Sequence, residues 1–188
     1  LQHLAPTAQL AFKQAQLLEN LARLGGVEPG RVLEPLTGPV WGYRRRARLG
    51  VKHVARKGRV LVGFRERSAP FVADLHECRV LAPPADRLID PLAALVGELS
   101  IAARVPQVEV AVAGSDCALV LRVLDPPTAA DLDRLRSFER AEGVRVYLQP
   151  GGPATVAPLT PNLEPLRYEL GHFGLAIEFE PIDFIQVN

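Results

Sequence analysis

Leu10, Leu17, Leu18, Leu21 and Leu24 recur near a 3.6-residue period, which predicts a helix over 7–24. Thr7 is placed to cap it and Gly25-Gly26 to end it. Residues 32–40 break the regularity with Pro35, Gly38 and Pro39. From Trp41 the period becomes two. Tyr43, Arg45, Ala47, Leu49 and Val51 fall on one face of a strand, and Arg44, Arg46, Arg48, Gly50 and Lys52 on the other. A second apolar run, Val60-Leu61-Val62-Gly63-Phe64, follows Arg56-Lys57-Gly58. The two runs read as a β-hairpin with Gly58 supplying a positive φ.

The pattern continues with a short strand over 71–75 and an amphipathic helix over 86–104, carrying Leu88, Leu92, Leu95, Val96 and Leu99. Pro91 fits only the first turn or two, which moves the helix start toward Asp90. Strands over 108–113 and 118–124 flank the turn Gly114-Ser115-Asp116. A helix over 128–142 has Thr128 as N-cap and Asp131 at N3, and a strand over 144–148 follows. After the turn-rich 149–153 comes a final strand pair, 166–170 and 173–179. This order predicts an α+β fold of the split-βαβ kind, an antiparallel or mixed sheet with a basic β-hairpin and helices packed on one side.

Hydrophobic (48%) and charged (23%) fractions are ordinary for a globular chain, so the totals hide the anomaly. No apolar run approaches the ~20 residues of a membrane span. The N-terminal Leu-Gln-His-Leu-Ala-Pro lacks the basic start and apolar stretch of a signal peptide. Two cysteines, Cys78 and Cys117, argue against a disulfide scaffold and fit a reducing cytoplasm. A monomer without membrane contact is expected. Methionine is absent even at position 1, and Phe184-Ile185-Gln186-Val187-Asn188 stops abruptly, so a piece of a longer protein is expected.

Charge changes the picture. Residues 41–67 hold ten Lys/Arg against one acid, Glu66, a local +9 in a chain whose net is +1, leaving −8 for the rest. Such a segment suits a polyanion, nucleic acid or an anionic surface. Edge protection of a sheet needs only one or two charges, whereas here a whole strand face, Arg44, Arg46, Arg48 and Lys52, is cationic. Arg outnumbers Lys 19 to 3; its planar fork suits phosphate, though a GC-rich genome gives the same bias.

Several chemistries are missing. Gly25-Gly26 ends a helix and Gly151-Gly152 sits between prolines, so neither forms a strand-to-helix nucleotide loop. There is no P-loop and no His-Glu-x-x-His. His3, His53, His76 and His172 are scattered without metal-ligand spacing. Cys117 opens an apolar strand and reads as a buried structural thiol. Cys78, in Glu77-Cys78-Arg79-Val80-Leu81, reads either as a small residue at a strand end or as one ligand of a metal or cluster.

Trp41-Gly42-Tyr43-Arg44-Arg45-Arg46-Ala47-Arg48-Leu49, Gly63-Phe64-Arg65, Cys78-x-Val80-Leu81 and Asp183-Phe184-Ile185-Gln186-Val187-Asn188 together resemble the RNA uracil-5-methyltransferase family, in its branch acting on bacterial 23S rRNA. The order and spacing match the family's central part over essentially the whole chain. The arginine-rich first motif sets it apart from the tRNA-directed relatives.

The resemblance implies a three-part parent: an OB-like RNA-binding module, a central domain with a [4Fe–4S] cluster, and a Rossmann-like domain binding S-adenosylmethionine. Residues 1–180 correspond to the central domain and 181–188 to the start of the last. Cys78 matches one cluster ligand, the other three lying in a Cys-x5-Cys-Gly-Gly-Cys run upstream. Arg79 stands where the family usually has proline. One thiolate cannot hold a four-cysteine cluster, so none is expected bound to this segment alone. Gln186 corresponds to a residue reaching the S-adenosylmethionine pocket, Phe184 to one near the flipped uracil, and Arg48 to one near the target RNA. The family's nucleophilic cysteine, which adds to C6 of uracil, and its base, which removes the C5 proton after methyl transfer, match nothing in this chain. The expected partner is 23S rRNA, read as single-stranded, unstacked RNA.

The leading expectation is therefore the RNA-docking part of such an enzyme, inactive alone. A standalone RNA- or ribosome-binding module is the alternative. A small-molecule enzyme with a site in the hairpin cleft is the third, disfavoured by the missing cofactor motif.

Overall fold

The computed structural model describes residues 3–161 and 163–185. Two compact units divide the chain, Leu1–Val40 and Trp41–Asn188. In the first, helix α1 (Pro6–Arg23) starts one residue earlier than the leucine period predicts. Pro6 takes the first turn, where its missing N–H costs nothing, and Ala5 stands at the cap position with no side-chain bond. Thr7 is thus inside the helix and does not cap it. Within this unit the apolar stripe has no core to enter: α1 has no buried residue, and Leu17 is 59% exposed.

The second unit is built on a six-stranded sheet in the order β2-β1-β3-β4-β5-β6. Its strands are β1 (Arg46–Val54), β2 (Arg59–Gly63), β3 (Gln107–Ala113), β4 (Asp116–Arg122), β5 (Arg145–Gln149) and the two-residue β6 (Ala157–Pro158). All neighbours are antiparallel except β4 and β5, which are parallel. A parallel pair needs a crossover, and α3 (Ala129–Glu142) provides it. Thr128 accepts from the Asp131 amide and Asp131 accepts from the Thr128 amide, completing the predicted cap as a reciprocal box.

Alternation sorts the sheet into two faces. Ala47, Leu49, Val51, Val108, Val110, Val112, Leu119, Leu121 and Val146 face the helices and form the main core with Ile89, Leu92 and Val96 of α2 (Ile89–Glu98) and Leu135 of α3. Both helices lie on this side, as the sequence predicts. Each fully buried leucine there stabilises the fold by about 2 kcal/mol relative to exposure. On the opposite face, Ala111, Ala113, Ala118, Val120 and Tyr147 are covered by Leu166 and Phe179 of the hairpin β7 (Leu166–Leu170) and β8 (Leu175–Phe179).

Two further expectations are corrected. Residues 71–75 form no strand; Val72 makes a single bridge to Arg65, and Asp74 turns outward to Lys57 and Arg59. The helix over 86–104 is shorter at both ends, with Pro91 in its first turn. Leu99 turns extended, and the Ser100 amide and hydroxyl bind the buried Asp131 carboxylate at 2.8 and 2.5 Å. A tertiary bond thus ends α2 where the hydrophobic period would have continued it. Gly58 adopts φ +62°, the left-handed conformation the hairpin turn requires. Among the described residues no helix is long and apolar enough to cross a membrane.

Candidate nucleic-acid interface

The basic run enters the sheet through a stitched segment. The Gly42 and Arg44 amides donate to the carbonyls of Arg79 and Val80, each at 2.8 Å, and the Ala82 amide donates to the Arg44 carbonyl at 2.9 Å. Cys78 immediately precedes this stretch; its amide donates to the Asp86 carbonyl, and its half-buried side chain packs against the main core. Regular strand begins only at Arg46. Arg44 consequently leaves the predicted cationic face. Its guanidinium lies 5.2 Å from the centre of the Phe64 ring, and its Nε donates to the Arg46 carbonyl.

From Arg46 onward the two-residue period holds. Ala47, Leu49 and Val51 are buried, while Arg48 and Lys52 are exposed on the other side. That side is not uniformly positive. Glu109 of β3 pairs across from Arg48 and accepts from Arg46 Nη2 (2.7 Å), Arg48 Nη2 (3.0 Å) and Gln107 Nε2 (3.0 Å). Arg46 also donates to the Pro181 carbonyl, so it is spent on structure. Burial pulls its guanidinium below the ordinary value, with the Glu109 carboxylate opposing. Arg48 keeps 69% of its side chain exposed and one edge of its fork free of Glu109.

The Arg46–Pro181 bond brings the chain end to this face. The Glu180 amide donates to the Asp183 carboxylate at 2.8 Å, and the Asp183 amide donates back to the Glu180 carbonyl at 2.9 Å. Phe184 follows three residues after Pro181, within ~10 Å of chain, and is 84% exposed. An exposed aromatic ring thus follows three residues after Pro181, which Arg46 anchors, and Arg48 keeps one edge of its fork free; such groups can stack an unpaired base and hold its phosphate. Gln186 lies outside the described residues.

The glycines of the hairpin fit the same design. A Cβ on Gly63 would sit 2.4 Å from the Ala73 carbonyl oxygen, and one on Gly50 would sit 2.9 Å from Val72 and 3.2 Å from the Arg65 stem. Bare backbone at both positions lets the 65–73 segment cross close over β1 and β2. Glu109 is the residue of this face that sequence reasoning missed. Its signal was the alternation Gln107-Val108-Glu109-Val110, which sets an acid on the non-core side of an otherwise apolar strand.

The remaining candidates are ordinary. Cys117 is fully buried, and burial pushes its thiol up to about 12, so it is inert. His76 pairs with Asp90 at 3.1 Å on the surface. Among the described residues no three His, Cys, Asp or Glu are gathered as metal ligands. Cys78 alone does not fit a four-thiolate cluster site.

No family model matches the sequence. Over 188 residues, all of this chain, it is 51% identical to the 23S rRNA (uracil(1939)-C(5))-methyltransferase RlmD of Cupriavidus necator, of which it spans 43%. It is 52% identical to RlmD of Alkalilimnicola ehrlichii, spanning 42% of that protein. Over this span the chain is similar to part of the enzymes of that name. It covers less than half the length of the curated relatives it matches. Among solved structures it is similar to the Pyrococcus abyssi tRNA (uracil-54, C5)-methyltransferase, crystallised with S-adenosyl-L-homocysteine. The TM-score is 0.66 at 19% identity, over the whole of this chain and 46% of that one. That likeness is one of fold. It agrees with the α+β architecture that the hydrophobic pattern predicts.

Proposed function

We propose that this chain is the RNA-docking part of an S-adenosylmethionine-dependent enzyme that methylates C5 of a uridine in 23S rRNA. The observation that carries the reading is the identity of about half of all residues, along the entire chain, with enzymes of that name. Two observations support it: Arg48 is mostly exposed with one edge of its fork free, and Phe184 is exposed three residues beyond Pro181, which Arg46 holds. In this reading Arg48 holds backbone phosphate, Lys52 extends the contact, and Phe184 stacks near the uracil that leaves the helix. Arg46 and Arg44 position the strand and do not themselves reach RNA.

Residues 1–180 are the central domain and 181–188 the entry to the S-adenosylmethionine domain, with Gln186 reaching the cofactor. Cys78 contributes one thiolate to a [4Fe–4S] cluster whose other ligands lie on other parts of the parent. The parent works as a monomer in the cytoplasm, where the two free thiols of this chain stay reduced. Catalytic cysteine and base are carried elsewhere, so this chain binds but does not methylate.

Incubation of this chain with a 23S rRNA fragment and methyl-labelled S-adenosylmethionine tests both halves. Binding without transfer is expected. Transfer would overturn the division of labour, and absence of binding would overturn the docking role. A standalone RNA- or ribosome-binding module would bind equally well, but would be encoded without a methyltransferase domain.

A further inference from the structure

We infer that a cleft at the far end of β1 seats a backbone phosphate of single-stranded RNA. The inference rests on the docking role proposed above and adds a second anchor to it. The cleft has a volume of about 280 Å³ and opens between the end of β1 and the loop before β3. Lys52, His53 and Arg65 line it together with the apolar Pro70, Val72 and Pro106, and no Asp or Glu does. None of these three basic side chains makes an ion pair or hydrogen bond to another side chain among the described residues. In contrast, Lys57 and Arg59 of the same hairpin are held by Asp74 at 2.7 and 2.6 Å.

The convergence is built into the backbone. Gly50 has no side chain, so the Arg65 stem crosses the face of β1 there, and Arg65 lines the same cleft as Lys52. The volume holds a phosphodiester and several waters, each taking ~30 Å³. It falls below the 300–1,000 Å³ of ordinary small-molecule sites. Cations on partly apolar walls bind a phosphate more strongly than the same cations in open water. Lys52 shares its strand face with Arg48, four residues away and hence ~13 Å along the strand. One extended RNA strand can reach both, and a mononucleotide cannot.

The test uses the whole chain and a single-stranded RNA oligonucleotide, with an abasic oligonucleotide of the same length in parallel. Both Lys52 and Arg65 are exposed, so Lys52→Gln/Arg65→Gln should fold normally, as a thermal melt would verify. The variant should bind both strands more weakly, and its slope of log affinity against log salt should fall by roughly 1 to 2. Wild-type affinity in the double variant, with loss in Arg48→Ala, would overturn the cleft while leaving the docking role intact. No binding by the wild type would overturn both. A loss confined to the base-bearing strand would overturn the phosphate assignment. Binding to phosphatidylserine vesicles that disappears in the double variant, with RNA binding unchanged, would assign the cleft to a lipid surface instead.

Discussion

Arg46 and Glu109 form the most enclosed ion pair among the described residues, 2.7 Å apart with 17% and 11% of their side chains exposed. One residue of the basic run is thereby converted from a surface charge into a structural bolt. It fastens β1 to β3 on one side and to the Pro181 carbonyl on the other.

Breaking that pair leaves a largely buried cation without its anion. Glu109→Gln should cost about 2–4 kcal/mol, read as a lower urea midpoint. Arg46→Met combined with Glu109→Leu should cost clearly less than the two single changes summed, because the desolvated charges vanish together. Strict additivity in that cycle would show that the pair is not coupled.

Two glycines make opposite predictions. Gly63→Ala pushes a methyl to within 2.4 Å of a backbone oxygen and should destabilise by about 2 kcal/mol or more. Gly97→Ala, exposed in α2 with its nearest neighbour 3.9 Å away, should stabilise by about 0.5–1 kcal/mol. Thermal melts of the two variants check both directions.

Asp131 couples α3 to the end of α2. Burial raises its carboxyl, but bonds from Ser100 and Thr128 outweigh that and hold it below its ordinary 3.8. A depressed folded value means stability that is fully present above the unfolded value and lost as pH falls through the folded one. Asp131→Asn should therefore show a constant deficit from pH 5 to 8, shrinking below about pH 4. A deficit that grows on acidification would contradict the assignment.

The periodic parts of this fold were legible because burial enforces the period. Ala47, Leu49 and Val51 had to share one face, and Thr128 with Asp131 had to cap α3. What escaped depended on partners distant in sequence. Nothing local tells that Arg44 will lie over Phe64, or that Glu109 will claim Arg46 and half of Arg48. The same holds for 71–75, whose apolar run suggests a strand, but which makes only the bridge of Val72 to Arg65 while Asp74 is held by Lys57 and Arg59. Charge counting marked the basic run, and only tertiary structure separated its free cations from the neutralised ones.

Lys57 and Arg59 are masked by Asp74, so their release should strengthen attraction to a polyanion. Asp74→Asn is expected to raise affinity for an rRNA fragment and steepen its salt dependence by up to about 1. Electrophoretic mobility shifts across a salt series measure it. Unchanged affinity would mean that the hairpin tip does not face the RNA.

The most direct test of RNA docking is the salt dependence of binding to a 23S rRNA fragment by the wild type and by Arg48→Ala, leaving the structural Arg46 intact. Loss of one phosphate contact should weaken binding and lower the log–log slope by roughly 1, with the thermal midpoint nearly unchanged because Arg48 is mostly exposed. Identical affinity and slope in the two proteins would contradict the account.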